Sequence, residues 1–206
     1  MNQITCQIRG FQRHVLDFLV RSNPNIGLDR RAEFFSGIFE NFLPRQSRVL
    51  DIGGGWGFYG EPLARRGHKV TVLDVCRPGY QKAPVVIYEG RRIPFADASF
   101  DASCLITVLH HCPDPQAVIR EARRVTKKIL VVVEDLYHHT PGRWWTRTRD
   151  QILNFEFFGH PDQFRSAQEW IDLIQGCGFR LKHRKDVYTW LSGFRILNGV
   201  LIFETA

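Results

Sequence analysis

The sequence predicts an α/β fold in which a mostly parallel β-sheet carries helices on both faces and turns antiparallel at one edge. Three observations lead there. Between residues 46 and 135, short β-branched apolar runs alternate with amphipathic helical stretches. The first of those runs leads into a glycine-rich turn and then a helix, "VLDIGGGWGFYG" at 49–60. The last two strand candidates are separated by only a short loop holding Ser192 and Gly193, and such a loop joins strands antiparallel.

Taken in order, residues 5–20 place Ile8, Phe11, Val15, Phe18 and Leu19 on one helical face, and "SNPN" at 22–25 turns the chain. Asp29 is a candidate cap for a second helix, with Phe34, Phe35, Ile38, Phe39 and Phe42 apolar and Pro44 as its end. Strands are expected at 48–52, 69–75, 85–89, 102–107 and 128–134, all apolar enough to be buried on both faces. Helices are expected at 57–66, stopped by Gly67, and from Asp114-Pro115 onward, with Ala117, Ile119, Ala122 and Val125 inward. The crossover at 76–84 contains Pro78, Gly79 and Pro84 and has room for one helical turn at most.

Residues 136–165 change character: aromatics, Arg and His with weak periodicity. Ser166 and Glu169 then form a capping box that opens a helix through 175, stopped by Gly176 or Gly178. Strands at about 179–189 and 199–205 close the chain. The expected organisation is one domain over 1–206: N-terminal helices at 1–45, a ligand-binding half at 46–135, a cover at 136–165, and a C-terminal helix and hairpin at 166–206.

Composition narrows the function classes. The 206 residues, 44% hydrophobic and 24% charged, suit one globular domain with a substantial core. The longest strongly apolar run, 129–133, is far too short to cross a bilayer, and "MNQITCQIRG" lacks a signal-peptide pattern, so a cytoplasmic location is expected. Cys6, Cys76, Cys104, Cys112 and Cys177 are scattered, which predicts free thiols and no zinc or other metal site. The +7 net charge and pI of about 9.4 favour an acidic substrate, an anionic surface or nucleic acid, but the excess is diffuse and argues against the last. Arg180, Lys182 and Arg184 alternate as if on one strand face; protection of an edge strand explains them better than a nucleic-acid patch.

The glycine turn admits two registers. From Gly55 it reads G-x-G-x-x-G, the dinucleotide fingerprint; from Gly53 it reads G-x-G-x-G, with Asp51 two residues ahead. A carboxylate at the strand end repels a pyrophosphate and suits an ammonium or sulfonium. S-adenosylmethionine carries both and no phosphate, which favours the Gly53-Gly55-Gly57 register. Asp74, at the end of "VTVLDV", can accept hydrogen bonds from two ribose hydroxyls and argues against a 2′-phosphate.

With "YEGRRIPFADASFD" at 88–101 and "VLHHCPD" at 108–114 added, the chain resembles the class I S-adenosylmethionine-dependent methyltransferases, specifically the type 11 methyltransferase domain, over roughly residues 46–135. The resemblance implies a Rossmann-like three-layer sandwich, a seven-stranded sheet of order 3-2-1-4-5-7-6 with strand 7 antiparallel. It implies that Asp51, Gly53, Gly54, Gly55 and Gly57 hold the methionine part of the donor and Asp74 the ribose. Glu89 takes the adenine amino group, standing where the family has Asp, with Val75 and Gly90 beside it. Ile106 and Thr107 line the cleft. Trp56 either lies against the ligand or begins the helix, and Gly60 reads as a packing residue.

His110 and His111 follow the fourth strand at the sheet's carboxyl edge, where either can be a general base or simply pack or cap. Glu134 and Asp135 end the fifth strand there; one of them is a candidate acceptor ligand, against a solvated strand end or local cap. Residues 143–160 sit where the family places its acceptor cover. Trp144, Trp145, Phe157 and Trp190 are candidates for an apolar acceptor pocket, and Arg147 for an anionic group, against a plain lid packing on the core. No [ND]-P-P-[YF] motif or Pro-Cys pair marks a nucleobase acceptor. The expected function is methyl transfer from S-adenosylmethionine, with S-adenosylhomocysteine as product, to a small or lipid-like acceptor. A non-catalytic ligand-binding or partner protein and an NAD-dependent oxidoreductase are the alternatives. The oligomeric state is left open.

Overall fold

A computed structural model of the chain describes residues 27–77, 80–137, 146, 148, 163–191 and 194–206. The element order is α1 (Leu28–Phe39), β1 (Arg48–Ile52), α2 (Gly60–Arg65), β2 (Lys69–Asp74), β3 (Val85–Ile87), β4 (Phe100–Ile106), α3 (Pro115–Val125), β5 (Thr126–Asp135), α4 (Ala167–Gln175), β6 (Phe179–Leu191) and β7 (Phe194–Thr205). Short 3₁₀ turns follow α1 at Glu40–Phe42 and β4 at Leu109–His111.

The strands form one seven-stranded sheet in the order β3-β2-β1-β4-β5-β7-β6. Pairing is parallel from β3 through β5, and β7 runs antiparallel to both its neighbours. The expected order and the antiparallel strand are therefore both present. The apolar side chains sort by strand parity. Leu50, Leu105, Leu130 and Val132 pack with Ile119 and Ala122 of α3 and Trp170 and Ile174 of α4. Val49, Cys104, Val131 and Val133 pack on the other face with Phe35 and Phe39 of α1 and Leu63 of α2. This is why the central strands read as continuous apolar runs rather than alternating ones.

Local signals explain most element ends. The Asp114 side chain accepts from Ala117 N at 3.0 Å, and Pro115 occupies the first helical position of α3. Ser166 and Glu169 make both halves of the capping box on α4. Among the described residues the 76–84 crossover holds no helix.

Two expectations are corrected. Asp29 does not cap α1: the helix begins from a left-handed Gly27 with no side-chain cap, and the Asp29 carboxylate pairs with Lys82 across the crossover. Arg180, Lys182 and Arg184 do not share a strand face. A bulge between Leu181 and His183 reverses the parity, so Leu181 packs with the α3/α4 side while His183 stacks on Phe42 on the other. The three cations are paired, Arg180 and Lys182 with Glu204 and Arg184 with Asp186. The expected helix at 5–20 lies outside the described residues.

Arg124 shows what the "IPFADASFD" stretch does in the fold. Its guanidinium donates to the Phe95 carbonyl at 2.8 Å, the Ile93 carbonyl at 2.8 Å, Asp97 at 2.8 Å and Glu121 at 2.7 and 2.9 Å. Glu121 in turn accepts from Ile93 N at 2.9 Å, so α3 holds the loop that leads into β4. Replacing Arg124 with Ala strands several of these groups and is expected to lower stability by about 1–3 kcal/mol. Arg124→Lys recovers little, because one ammonium cannot reproduce the planar fork. Urea denaturation of the two variants checks both statements.

Candidate active site

The site is built at the carboxyl edge of the sheet, around the end of β1. Gly53, Gly55 and Gly57 adopt left-handed φ values of 72°, 53° and 77°, whereas Gly54 and Gly60 do not. The backbone thus singles out the register beginning at Gly53. Gly53 and Gly54 both donate to the Leu73 carbonyl, at 2.7 and 3.3 Å, folding the turn back over β2. A Cβ on Gly53 would lie 2.5 Å from a Val108 methyl, and one on Gly54 would lie 2.5 Å from Asp51 Oδ2. Gly54 is glycine because the carboxylate of Asp51 occupies the space. At Gly60 a Cβ would meet Ala83 at 3.4 Å, a packing contact.

Asp51 is fully buried, and its Oδ2 has no hydrogen-bond partner. Burial, with the nearby Asp74 charge adding to it, pushes its pKa from the ordinary 3.8 to about 7. Asp74 aligns the turn directly: its carboxylate accepts from Gly55 N at 2.9 Å and Cys76 N at 3.0 Å. Beyond it Val75 is exposed, a Cβ on Gly90 would touch Val75 at 3.1 Å, and Glu89 is exposed on the same rim. Trp56 is half-buried, and its carbonyl accepts from Lys82 N at 2.8 Å.

Opposite the glycine turn lies the segment after β4. Ile106 is buried and Thr107 half-buried, with Thr107 at a left-handed φ of 54°. Glu134, buried at the end of β5, accepts from Val108 N at 3.1 Å and Leu109 N at 2.7 Å, and its second oxygen meets His110 Nδ1. His110 is buried and stacks on Phe164 at 4.7 Å, while His111 is half-buried with its ring 4.0 Å from that of His110. Burial raises the Cys104 thiol well above its ordinary value and Cys112 to about 12, so neither is a thiolate nucleophile near neutral pH.

On the α1 side, Asp135 Oδ1 accepts from Asn198 Nδ2 at 2.6 Å and Arg31 Nη2 at 3.4 Å, and Thr189 donates to Asn198 Oδ1 at 2.6 Å. Burial raises the nearby Tyr59 phenol, which the Arg31 charge partly offsets. Sequence reading missed the Asp74–Gly55 bond, the Glu134 clamp and the Arg31–Asp135–Asn198 chain. The last two join residues from distant elements, and no local spacing signals them. Trp190 is 66% exposed beside β7. Trp144, Trp145, Arg147 and Phe157 lie outside the described residues. Among the described residues no group of His, Cys, Asp and Glu is arranged to hold a metal, and no helix is long and apolar enough to cross a membrane.

These features test which ligand the cradle fits. A buried carboxylate with one oxygen unpartnered among the described residues, beside close-packed glycines, suits a cationic group and opposes a pyrophosphate. Sheet order, glycine turn and the two strand-end acids together define a class I S-adenosylmethionine-dependent methyltransferase fold. Residues 50–132, about two fifths of the chain, match the family model described as methyltransferase domain. A demethylmenaquinone methyltransferase of Renibacterium salmoninarum is 34% identical over 114 residues, 52% of this chain and 48% of the relative. A ubiquinone biosynthesis O-methyltransferase of Xanthomonas oryzae pv. oryzae is 34% identical over 93 residues, 39% of each chain. The matches thus span less than half the length of either relative. The solved 1,6-didemethyltoxoflavin-N1-methyltransferase of Burkholderia thailandensis, with its acceptor and S-adenosylhomocysteine bound, superposes with a TM-score of 0.66 at 15% identity, covering 95% of this chain and 87% of that one.

Asp51 makes stability depend on pH in an unusual direction. Its pKa is higher folded than unfolded, so between about pH 4 and 7 the folded chain holds a proton that the unfolded chain has released. Stability from this group therefore falls as pH rises through that window, and the penalty is complete above about pH 7. Asp51→Asn removes the penalty. It is expected to raise stability at pH 8 by on the order of 1–3 kcal/mol and to change it little at pH 4. Thermal melts across pH 4–8 give the difference curve.

Proposed function

We propose that the protein transfers a methyl group from S-adenosylmethionine to a small aromatic or lipid-like acceptor. The observation that carries this reading is the buried carboxylate of Asp51, whose Oδ2 has no hydrogen-bond partner among the described residues, beside the left-handed glycine turn. When bound, the donor supplies a methyl already activated by a positive sulfur, so the chain's task is alignment and exclusion of water.

In this reading Asp51 faces the cationic end of the donor, and Gly53, Gly54, Gly55 and Gly57 let the backbone approach its methionine part. Asp74 receives the ribose hydroxyls while holding Gly55, and Val75, Glu89 and Gly90 bound the adenine. Ile106, Thr107 and Val108 wall the cleft where the acceptor atom meets the methyl. Of the two histidines, the half-buried His111 is the better candidate base, because His110 is buried against Glu134 and Phe164. The activities of the two relatives, on demethylmenaquinone and in ubiquinone biosynthesis, support an acceptor with a quinone or phenol ring. A cofactor-binding protein without catalysis is disfavoured because the donor cradle is intact. An NAD-dependent enzyme is disfavoured by the Asp51 charge.

Titration calorimetry with S-adenosylhomocysteine and NAD separates these readings: binding of the first and none of the second is expected, and the reverse overturns the proposal. Asp74→Ala removes both the ribose acceptors and the Gly55 support, and is expected to weaken S-adenosylhomocysteine binding by about 1–3 kcal/mol. Because the carboxylate form of Asp51 favours the ligand's ammonium, affinity for S-adenosylhomocysteine is expected to fall as pH drops below about 7. In Asp51→Asn that part of the pH dependence disappears, which calorimetry at pH 5.5 and 8 reads directly.

A further inference from the structure

The segment after β4 carries a cost and a restraint that the reaction chemistry does not by itself require. Thr107 is β-branched, and a left-handed backbone is strained for such a residue. The strain persists only where the surroundings over-determine it. Here Thr107 N donates to the Val133 carbonyl at 2.7 Å, and the next two N–H groups, of Val108 and Leu109, both end on one oxygen of Glu134. The other Glu134 oxygen meets His110. A fully buried carboxylate is expensive unless its polar partners are fixed around it. Three groups of one short turn supply them.

The geometry of this turn reaches the glycine cradle. The Val108 methyls sit against Gly53, where a Cβ would lie 2.5 and 2.8 Å from them. The turn also reaches the chain on the far side of the 138–162 stretch: Gln163 N donates to the His110 carbonyl at 2.9 Å, and Phe164 stacks on the His110 ring. One carboxylate thus fixes the wall of the cleft and the point at which residues 163 and 164 dock on it.

We propose that Glu134 is a positioning residue of the donor site: its buried carboxylate holds the 107–111 turn in its strained form, which seats Val108 on Gly53 and Thr107 at the cleft. The inference rests on the donor reading given above. It assigns Glu134 no contact with donor or acceptor; Glu134 acts through the backbone of Val108 and Leu109 and through His110.

The test combines hydrogen exchange with calorimetry on three variants. In Glu134→Ala, the amides in a peptide covering 107–112 lose protection while β1, β2 and β5 keep theirs, and S-adenosylhomocysteine binds at least about tenfold more weakly. Glu134→Gln restores a side-chain oxygen for the two N–H groups and is expected to rescue affinity to within about threefold of the wild type. Thr107→Gly relieves the left-handed strain, so adding it to Glu134→Ala recovers part of the lost affinity, a non-additive result that general destabilisation does not give. Unchanged affinity in Glu134→Ala, or protection of 107–112 retained in it, overturns the proposal. So does the absence of recovery in both the Gln and the double variant. If Glu134→Ala does not fold, Glu134→Gln alone decides: protection at 107–112 and affinity within about threefold uphold the clamp, and loss of both overturns its hydrogen-bond basis. A wild-type protein that fails to bind S-adenosylhomocysteine overturns the donor reading instead, a result separable from every outcome above.

Discussion

A buried negative charge at the end of β1 is the constraint around which the carboxyl edge is arranged. Desolvation makes the Asp51 carboxylate costly, and Oδ2 has no partner to offset the cost. Its presence dictates the next residues. Gly54 must lack a side chain because the carboxylate fills that space, and the chain must then reverse over β2 through glycines that accept left-handed φ. The reversal presents Gly55 N to Asp74, so two acids that raise one another's cost are brought near each other on neighbouring strands. Such an arrangement carries a cost within the fold, and under the proposed function it is offset by a ligand with positive charge for one acid and hydroxyl donors for the other.

Three carboxylates end the central strands, and their partners separate their roles. Asp51 on β1 has an oxygen left open and faces the glycine cradle. Glu134 on β5 is saturated by two backbone N–H groups and a histidine, so it organises a turn. Asp135, on the opposite face of the same strand, holds Asn198 of β7 and Arg31 of α1, so it ties the N-terminal helix to the antiparallel edge. Residue type and strand position alone make these three look alike. Their different satisfaction distinguishes a ligand group from a clamp and from a tether.

That contrast also explains what the sequence made legible. The fold could be read because parallel strands buried on both faces write themselves as apolar runs, and because Asp114-Pro115 and Ser166 with Glu169 are local caps whose partners lie three residues away. The glycine turn stood out because it lies in one short stretch, and the structure gives Gly53, Gly55 and Gly57 the left-handed backbone that only glycine adopts freely. Asp29 was misread because a long-range ion pair with Lys82 won over local capping. The β6 cations were misplaced because a single bulge reverses every later side chain, and periodicity cannot see a bulge. Glu134 and Asp135 were visible as strand-end acids, but their partners were not, because each joins residues that only the sheet order brings together.

The same logic bears on why donor recognition is concentrated and acceptor recognition dispersed. A sulfonium donor presents one fixed set of groups, so a short run of glycines and two strand-end acids can meet it. In the proposed reading the acceptor meets the methyl at the carboxyl edge, where the 107–111 turn and the ends of β4 and β5 lie. Several groups at that edge are held through β5: Thr107 through the Val133 carbonyl, Val108 through Glu134, and Arg31 and Asn198 through Asp135. β5 is the strand on which parallel pairing gives way to antiparallel, with β4 on one side and β7 on the other. The change of direction sets Asn198 of β7 beside Asp135 at the carboxyl end of β5, so the geometry of that edge follows from sheet topology as much as from any motif.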